Sequence, residues 1–407
     1  MTDANPIELS QDVLGVPAKA SIFLTLTIRE GGEARVVETL PVIEELTHSV
    51  AFRSPEAGVS CVVGVGALAW DRLFATPRPE HLHVLEPLTG ARHGMPSTPG
   101  DLFLHVRSQT FDTCFEVVRE VTRALGDAVA PEDEVHGFRY RESRDPLGFV
   151  DGTESPEGRE AVESALVADG EWAGGSYIIE QRYTHDLTAW DALSTREQEL
   201  VIGRTKMDDV ELADDVKPHN SHVALNTVED AEGNEHKIVR DNLAFGDASG
   251  EQGTFFMSYA ADPRITELML RRMFIGEPEG NYDRILDFST AVTGALFFAP
   301  PADFLDDAEE HARPGLLGED DEPEDPTQPA LGLPQAVALG LRDPTASDAG
   351  EETAEPLLPR GSDPAEAAED AQPTAPVPSA PTTTAPTSTP TTTAPADGSL
   401  GIGSLKG

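Results

Sequence analysis

The sequence predicts an α+β fold in which one β-α-β-β-α-β unit is followed by a second, with a disordered tail behind them. Three observations predict it. The same order of elements occurs twice within residues 1–302, and apolar residues there recur at strand and helix periods. Aromatic residues then stop at Phe304 in a chain of 407 residues.

In the first unit, Ala20, Ile22, Leu24, Leu26 and Ile28 alternate with Ser21, Thr25 and Thr27, the period of a strand with one buried face. Arg35 to Val50 reads as a helix, Val59 to Gly66 as a buried strand and Leu102 to Arg107 as another. Phe111, Phe115, Val118, Thr122 and Leu125 mark one face of a second helix, and Val135 to Arg141 closes the unit. This order is the ferredoxin-like arrangement, an antiparallel sheet with both helices on one face. The second unit repeats it. Ser176 to Tyr183 is a strand, Leu187 to Ile202 a helix, His236 to Asn242 and Thr254 to Ala260 are strands, and a proline opens the helix Pro263 to Ile275 before a last strand, Ala295 to Ala299. The expected division is an N-terminal unit over 1–145 and a C-terminal unit over 146–302.

Residues 303–396 read as a disordered linker. From Asp303 onward there are 21 Asp and Glu against four Lys and Arg, and 16 of the 33 prolines. Such a segment buries too little apolar surface to offset its ordering entropy. A net charge of −44 argues against nucleic acid or an anionic membrane as partner, because those contacts rest on Lys and Arg. Cys61 and Cys114 lie in apolar stretches without metal-ligand spacing and read as reduced core residues. No basic segment followed by an apolar run opens the chain and no run has the length of a membrane helix, so the cytoplasm is the expected compartment.

Three groups of residues carry chemistry. His222 lies where a polar segment turns apolar, a setting in which a neutral imidazole can ligate a haem iron if its second nitrogen finds an acceptor. On a strand, Arg240 and Asn242 leave the same face while Asp241 points the other way. Asp151, between Val150 and Gly152, sits where a loop brings a short carboxylate close to a flat cofactor. Splitting a peroxide needs a base to move a proton between its oxygens and a cation to stabilise the charge that develops, roles that Asp151 and Arg240 fill.

The stretches Gly148-Phe149-Val150-Asp151-Gly152-Thr153, Gly203-Arg204-Thr205-Lys206, Asn220-Ser221-His222, Arg240-Asp241-Asn242 and Leu286-Asp287-Phe288 followed by Gly294-Ala295-Leu296-Phe297-Phe298 resemble the dye-decolorising (DyP-type) haem peroxidases, in the short bacterial form found with encapsulin shells. The resemblance runs from about residue 20 to residue 300. It implies an H2O2-dependent oxidoreductase acting on organic, dye-like or phenolic donors, with haem b in the C-terminal unit. It further implies His222 as proximal iron ligand, Asp151, Arg240 and Asn242 as catalytic residues, and Arg204 on a haem propionate, with Gly152 and Thr153 also at the cofactor. For the second nitrogen of His222, Asp283 and Asp287 both qualify; Asp287 is the preferred partner. The rival is a haem-binding or haem-handling protein without peroxidase turnover.

Glu154, Glu211 and Glu235 would suit Mn²⁺, though a solvated acidic face is the commoner use of such residues. The aromatics Tyr177, Tyr183, Trp172 and Trp190 are candidate surface electron relays, with core packing the commoner role. At the end of the chain, Asp397 to Gly407 places Leu400, Ile402 and Leu405 among small residues after a Thr/Pro-rich tether. This segment resembles the encapsulin cargo-loading peptide, which implies an enzyme carried inside an encapsulin nanocompartment. A homo-oligomer would add avidity to such tails.

Overall fold

The computed structural model describes residues 5–229, 233–248 and 250–318. The linker beyond residue 318 and the terminal peptide with Leu400, Ile402 and Leu405 lie outside the described residues.

Strands β1 (Ala20–Ile28), β2 (Ser60–Gly66), β3 (Leu102–Ser108) and β4 (Val129–Phe138) come from the first half of the fold. Strands β5 (Ser176–His185), β6 (Leu243–Gly246), β7 (Gln252–Ala260) and β8 (Ala295–Ala299) come from the second. They pair in the order β4-β1-β3-β2-β8-β5-β7-β6, so that each half has its first strand beside its fourth and third, as a ferredoxin-like unit requires. The two halves join at both edges. Phe297 and Phe298 of β8 pair with Gly66 and Val65 of β2, and Ala244 of β6 pairs with Phe138 of β4. The pairing therefore closes on itself, which removes the exposed edges that an open sheet would carry.

Closure buries both faces of most ring strands, while β4 leaves Glu132, Glu134, His136 and Phe138 exposed. Ile22, Leu24, Val36, Leu40, Val117 and Val121 belong to a core on the helix side, where α1 (Glu33–Arg53) and α2 (Phe111–Leu125) pack. Phe23, Val62, Phe103, Ile178, Phe255 and Phe297 fill a second core inside the ring, with Phe23 stacked on Phe255 at 4.1 Å across the two halves. The expectation that Ser21 and Thr25 form a solvent face is thus corrected: they are 0% and 3% exposed because they point into the ring.

Four further expectations change. Helix α2 buries Cys114, Val117, Val118, Val121 and Leu125, leaving Phe111 and Phe115 at 39% and 52% exposure. Two apolar stripes lie one position apart on this helix, and the one that meets β1 is buried. Residues 187–202 form two helices, Leu187–Asp191 and α3 (Thr195–Ile202), because Ser194 and Glu197 make a capping box that starts the second. Residues 236–242 do not form the ring strand, which is β6; only Val239–Arg240 add to β7 at its edge. Finally, the folded body extends past residue 302. Phe304, Leu305 and Ala308 are buried, Phe304 stacks on Trp70 at 5.1 Å, and Ala312 bridges to Phe74. Among the described residues no helix is long and apolar enough to cross a membrane.

Candidate functional site

His222 opens the short helix α4 (His222–Asn226), whose N-cap, Ser221, accepts from Ala224 N–H. The approach to α4 depends on Gly203, which ends α3 with φ 98°. A side chain there would lie 2.9 Å from Ser221 Oγ and 3.2 Å from Val223 Cβ. His222 Nδ1 is 2.7 Å from Asp283 Oδ2, and Asn226 braces both by donating to His222 O at 2.8 Å and to the same carboxylate oxygen at 3.4 Å. Asp283 is wholly buried, and its other oxygen accepts from Ile285 N–H at 3.0 Å.

The partner of His222 is therefore Asp283, correcting the preference for Asp287. The segment Arg284–Asp287 is a 3-10 turn with Asp283 as its N-cap, so positions four apart do not share a face as they would in an α-helix. Asp287 instead meets His93 Nε2 and Tyr282 Oη, each at 3.1 Å.

Asp151 follows the turn at Gly148, which has φ 93° and whose added Cβ would sit 2.6 Å from Lys206 Cε. Asn242 Nδ2 donates to Asp151 Oδ1 at 3.3 Å, while Asn242 Oδ1 accepts from Met257 N–H at 3.1 Å. Asp151, Arg240, Asn242 and His222 all line one cavity. The alternation expected of residues 240–242 holds although Arg240 alone of the three is in a strand: Arg240 and Asn242 face the cavity, and Asp241 meets Arg107 in the ring.

Leu147, Ile202, Val223, Phe256, Met269 and Leu270 supply the cavity's apolar walls. An imidazole with a fixed second nitrogen, apolar walls and a guanidinium at Arg204 together fit haem, a flat apolar macrocycle with an axial position and carboxylate arms. Gly152 and Thr153 line the cavity beside Arg204. The guanidinium is held by Asp209 Oδ1 at 2.8 Å and Glu154 Oε1 at 2.6 Å, and Thr153 Oγ1 donates to Asp209 Oδ2 at 2.6 Å.

Sequence reasoning missed two lining residues. Burial, together with the nearby charge of Asp151, pushes the Asp145 carboxyl up to about 7. Asp145 accepts from Phe149 N–H at 2.9 Å and so shapes the loop that carries Asp151. An Asp followed three residues later by Gly is a turn signal, the one cue the sequence offered. His185 was also passed over. Burial pushes it down to about 4, leaving a neutral ring between Ser289 Oγ at 2.9 Å and Thr254 Oγ1 at 3.0 Å.

The three glutamates weighed for Mn²⁺ are not gathered. Glu154 pairs with Arg204, Glu211 with Lys217, and Glu235 with Lys237, and among the described residues no group of three metal-ligating side chains forms. The aromatics weighed as surface relays are mostly interior: Trp190, Tyr177 and Tyr183 are buried and Trp172 half-buried. Trp190 donates to Leu147 O at 2.8 Å and packs on Phe149 and Phe288, a core role.

Two family models match the chain: Dyp-type peroxidase, N-terminal, over residues 11–139, and Dyp-type peroxidase, C-terminal, over residues 142–304. The Dye-decolorizing peroxidase of Brevibacterium linens is 54% identical over 311 residues, covering 75% of this chain and 85% of that protein. A structure of a Rhodococcus jostii RHA1 DypB variant in complex with heme is 53% identical with a TM-score of 0.71, covering 74% of this chain and 99% of that one. The cryo-EM structure of the encapsulated DyP-type peroxidase from Mycobacterium smegmatis is 51% identical with a TM-score of 0.72, covering 74% of this chain and 98% of that one.

Proposed function

Because this chain belongs to the Dyp-type peroxidase family, and with it is a haem-dependent peroxidase, we propose that His222 holds the iron while Asp151, Arg240 and Asn242 act on H2O2. Haem, held by His222 and Arg204, would supply the redox chemistry that couples two-electron reduction of H2O2 to oxidation of an organic donor. The observation that carries the reading is the 2.7 Å contact of His222 Nδ1 with the fully buried Asp283 in the cavity that the other three residues line. That contact leaves Nε2 as the ligating nitrogen and makes it a stronger donor.

Asp151 would take the proton from one oxygen of H2O2 and return it to the other, which leaves as water. Arg240 offsets the negative charge that builds on the departing oxygen, an effect enlarged by the apolar walls. Asn242, donating to Asp151 Oδ1, orients the carboxylate and leaves its other oxygen to the substrate. Arg204, Gly152 and Thr153 hold the cofactor's edge, with the guanidinium suited to a propionate. Stopped-flow mixing with H2O2 tests the assignment: Arg240→Leu and Asp151→Ala should each slow the first spectral change at least tenfold. Rates within twofold of wild type would remove these residues from the peroxide step.

We further assign the C-terminal unit, 146–302 with the short extension to 318, to haem and residues 397–407 to an encapsulin shell. The encapsulated relative supports the second assignment, with Leu400, Ile402 and Leu405 as anchors for an apolar groove. Tails on a homo-oligomer would bind the shell multivalently.

A further inference from the structure

We propose that Arg107 and Asp241 form a positioning pair that sets Arg240 and Asn242 from inside the strand ring; the inference rests on the peroxide role of those two residues given above. Arg107 lies in β3, in the N-terminal half, and its side chain is 3% exposed. Its Nη1 donates to Asp241 Oδ2 at 2.9 Å, its Nε donates to Ser60 Oγ at 3.2 Å, and its Nη2 meets the carbonyls of Asp12 and Val13. Gly15 packs so closely on this guanidinium that an added Cβ would collide with Nη2. Two further segments of the first half thus fix one cation, and that cation meets one residue of the second half.

The residue it fixes stands between Arg240 and Asn242. Asp241 also has His105 Nε2 at 3.7 Å, and His105 is itself held by Tyr259 Oη at 2.9 Å, so the carboxylate is flanked on two sides within the ring. The Asp241 N–H donates to Met257 O at 3.2 Å, and Met257 N–H donates to Asn242 Oδ1 at 3.1 Å. In an extended segment consecutive side chains alternate, so anchoring Asp241 inward directs its two neighbours into the cavity. Slipping the segment by one residue would place Arg240 or Asn242 against Arg107 and empty the peroxide site of its donors. A buried ion pair often adds little stability over apolar residues of the same size, and fixing one register is the best-attested use of such a group. Arg107 and Asp241 act through Arg240 and Asn242 and need not touch peroxide.

The test uses the haem-loaded enzyme and the haem-free protein side by side. In the loaded enzyme, Asp241→Asn and Arg107→Met should slow the reaction with H2O2 at least tenfold while the donor KM stays within twofold. Arg107→Lys, which keeps the cation, should recover most of the loss. In haem-free protein, hydrogen exchange of residues 239–242 should rise at least tenfold in Asp241→Asn. Peroxide rates within twofold of wild type in both variants, or a slowed rate with unchanged exchange at 239–242, would overturn the proposal. If Arg107→Met does not fold, Asp241→Asn, which preserves shape, decides. Arg240→Leu separates the two readings: an unchanged peroxide rate there removes Arg240 from the peroxide step itself. A slowed Arg240→Leu beside a normal Asp241→Asn removes the positioning pair alone.

Discussion

Replacing Asp283 with Asn removes a charge from beneath His222 and changes almost no volume. Oδ1 can still accept from Ile285 N–H, now at 3.0 Å, so the 3-10 turn keeps its cap. The group that replaces Oδ2 is an amide nitrogen, which cannot accept from His222 Nδ1 across the present 2.7 Å. Asn226 Nδ2 loses the same acceptor, now at 3.4 Å. A hydrogen bond to a charged group contributes about 1.5–3 kcal/mol, and loss of such a partner typically weakens metal affinity roughly 10–100-fold. Asp283→Asn should therefore release haem roughly 10–100-fold faster to an excess of an apo-globin scavenger, followed at the Soret band. Asp287→Asn is the internal control, since Asp287 engages His93 and Tyr282 and should release haem at the wild-type rate. Wild-type retention in Asp283→Asn, or equal loss in both variants, would refute the reasoning.

Asp145→Asn bears on the pH dependence of folding. The folded carboxyl, pushed up to about 7 by burial and by Asp151, keeps a proton that the unfolded chain loses near its ordinary value of 3.8. Its contribution is therefore present in acid and is lost as pH rises from about 4 to about 7, by at most roughly 4 kcal/mol. Urea midpoints of the haem-free variant should rise relative to wild type across that window, and parallel midpoints would count against a neutral Asp145. Removing Asp397 to Gly407 should leave peroxidase turnover unchanged and end co-purification with a co-expressed encapsulin shell. Continued loading would place the address elsewhere.

How far the sequence led depended on how local each feature is. The strands Ala20–Ile28 and Ala295–Ala299 and the start of the helix at Pro263 follow from period and capping, which neighbouring residues decide. The closed ring was not legible, because pairing of Gly66 with Phe297, or of Phe138 with Ala244, joins residues over a hundred positions apart. For the same reason Ser21 looked like a surface residue. Within the site, Asp151, His222 and Asn242 were marked by their stretches, and the cavity gathers them. Asp283 and Asp287 were not separable from the sequence, because the 3-10 turn that puts only Asp283 on His222 is not marked by any local pattern. Arg107 is buried inside the assembled ring and Asp145 lines the cavity beside Asp151, placements that no local pattern reports.

The ultraviolet–visible spectrum of the haem-reconstituted protein, compared between wild type and His222→Ala, bears most directly on the iron being held by this imidazole. Wild type should show a sharp Soret band that shifts on adding H2O2, and His222→Ala should lose that band or displace it strongly. A colourless wild type, or an identical Soret band in the two proteins, would contradict the assignment.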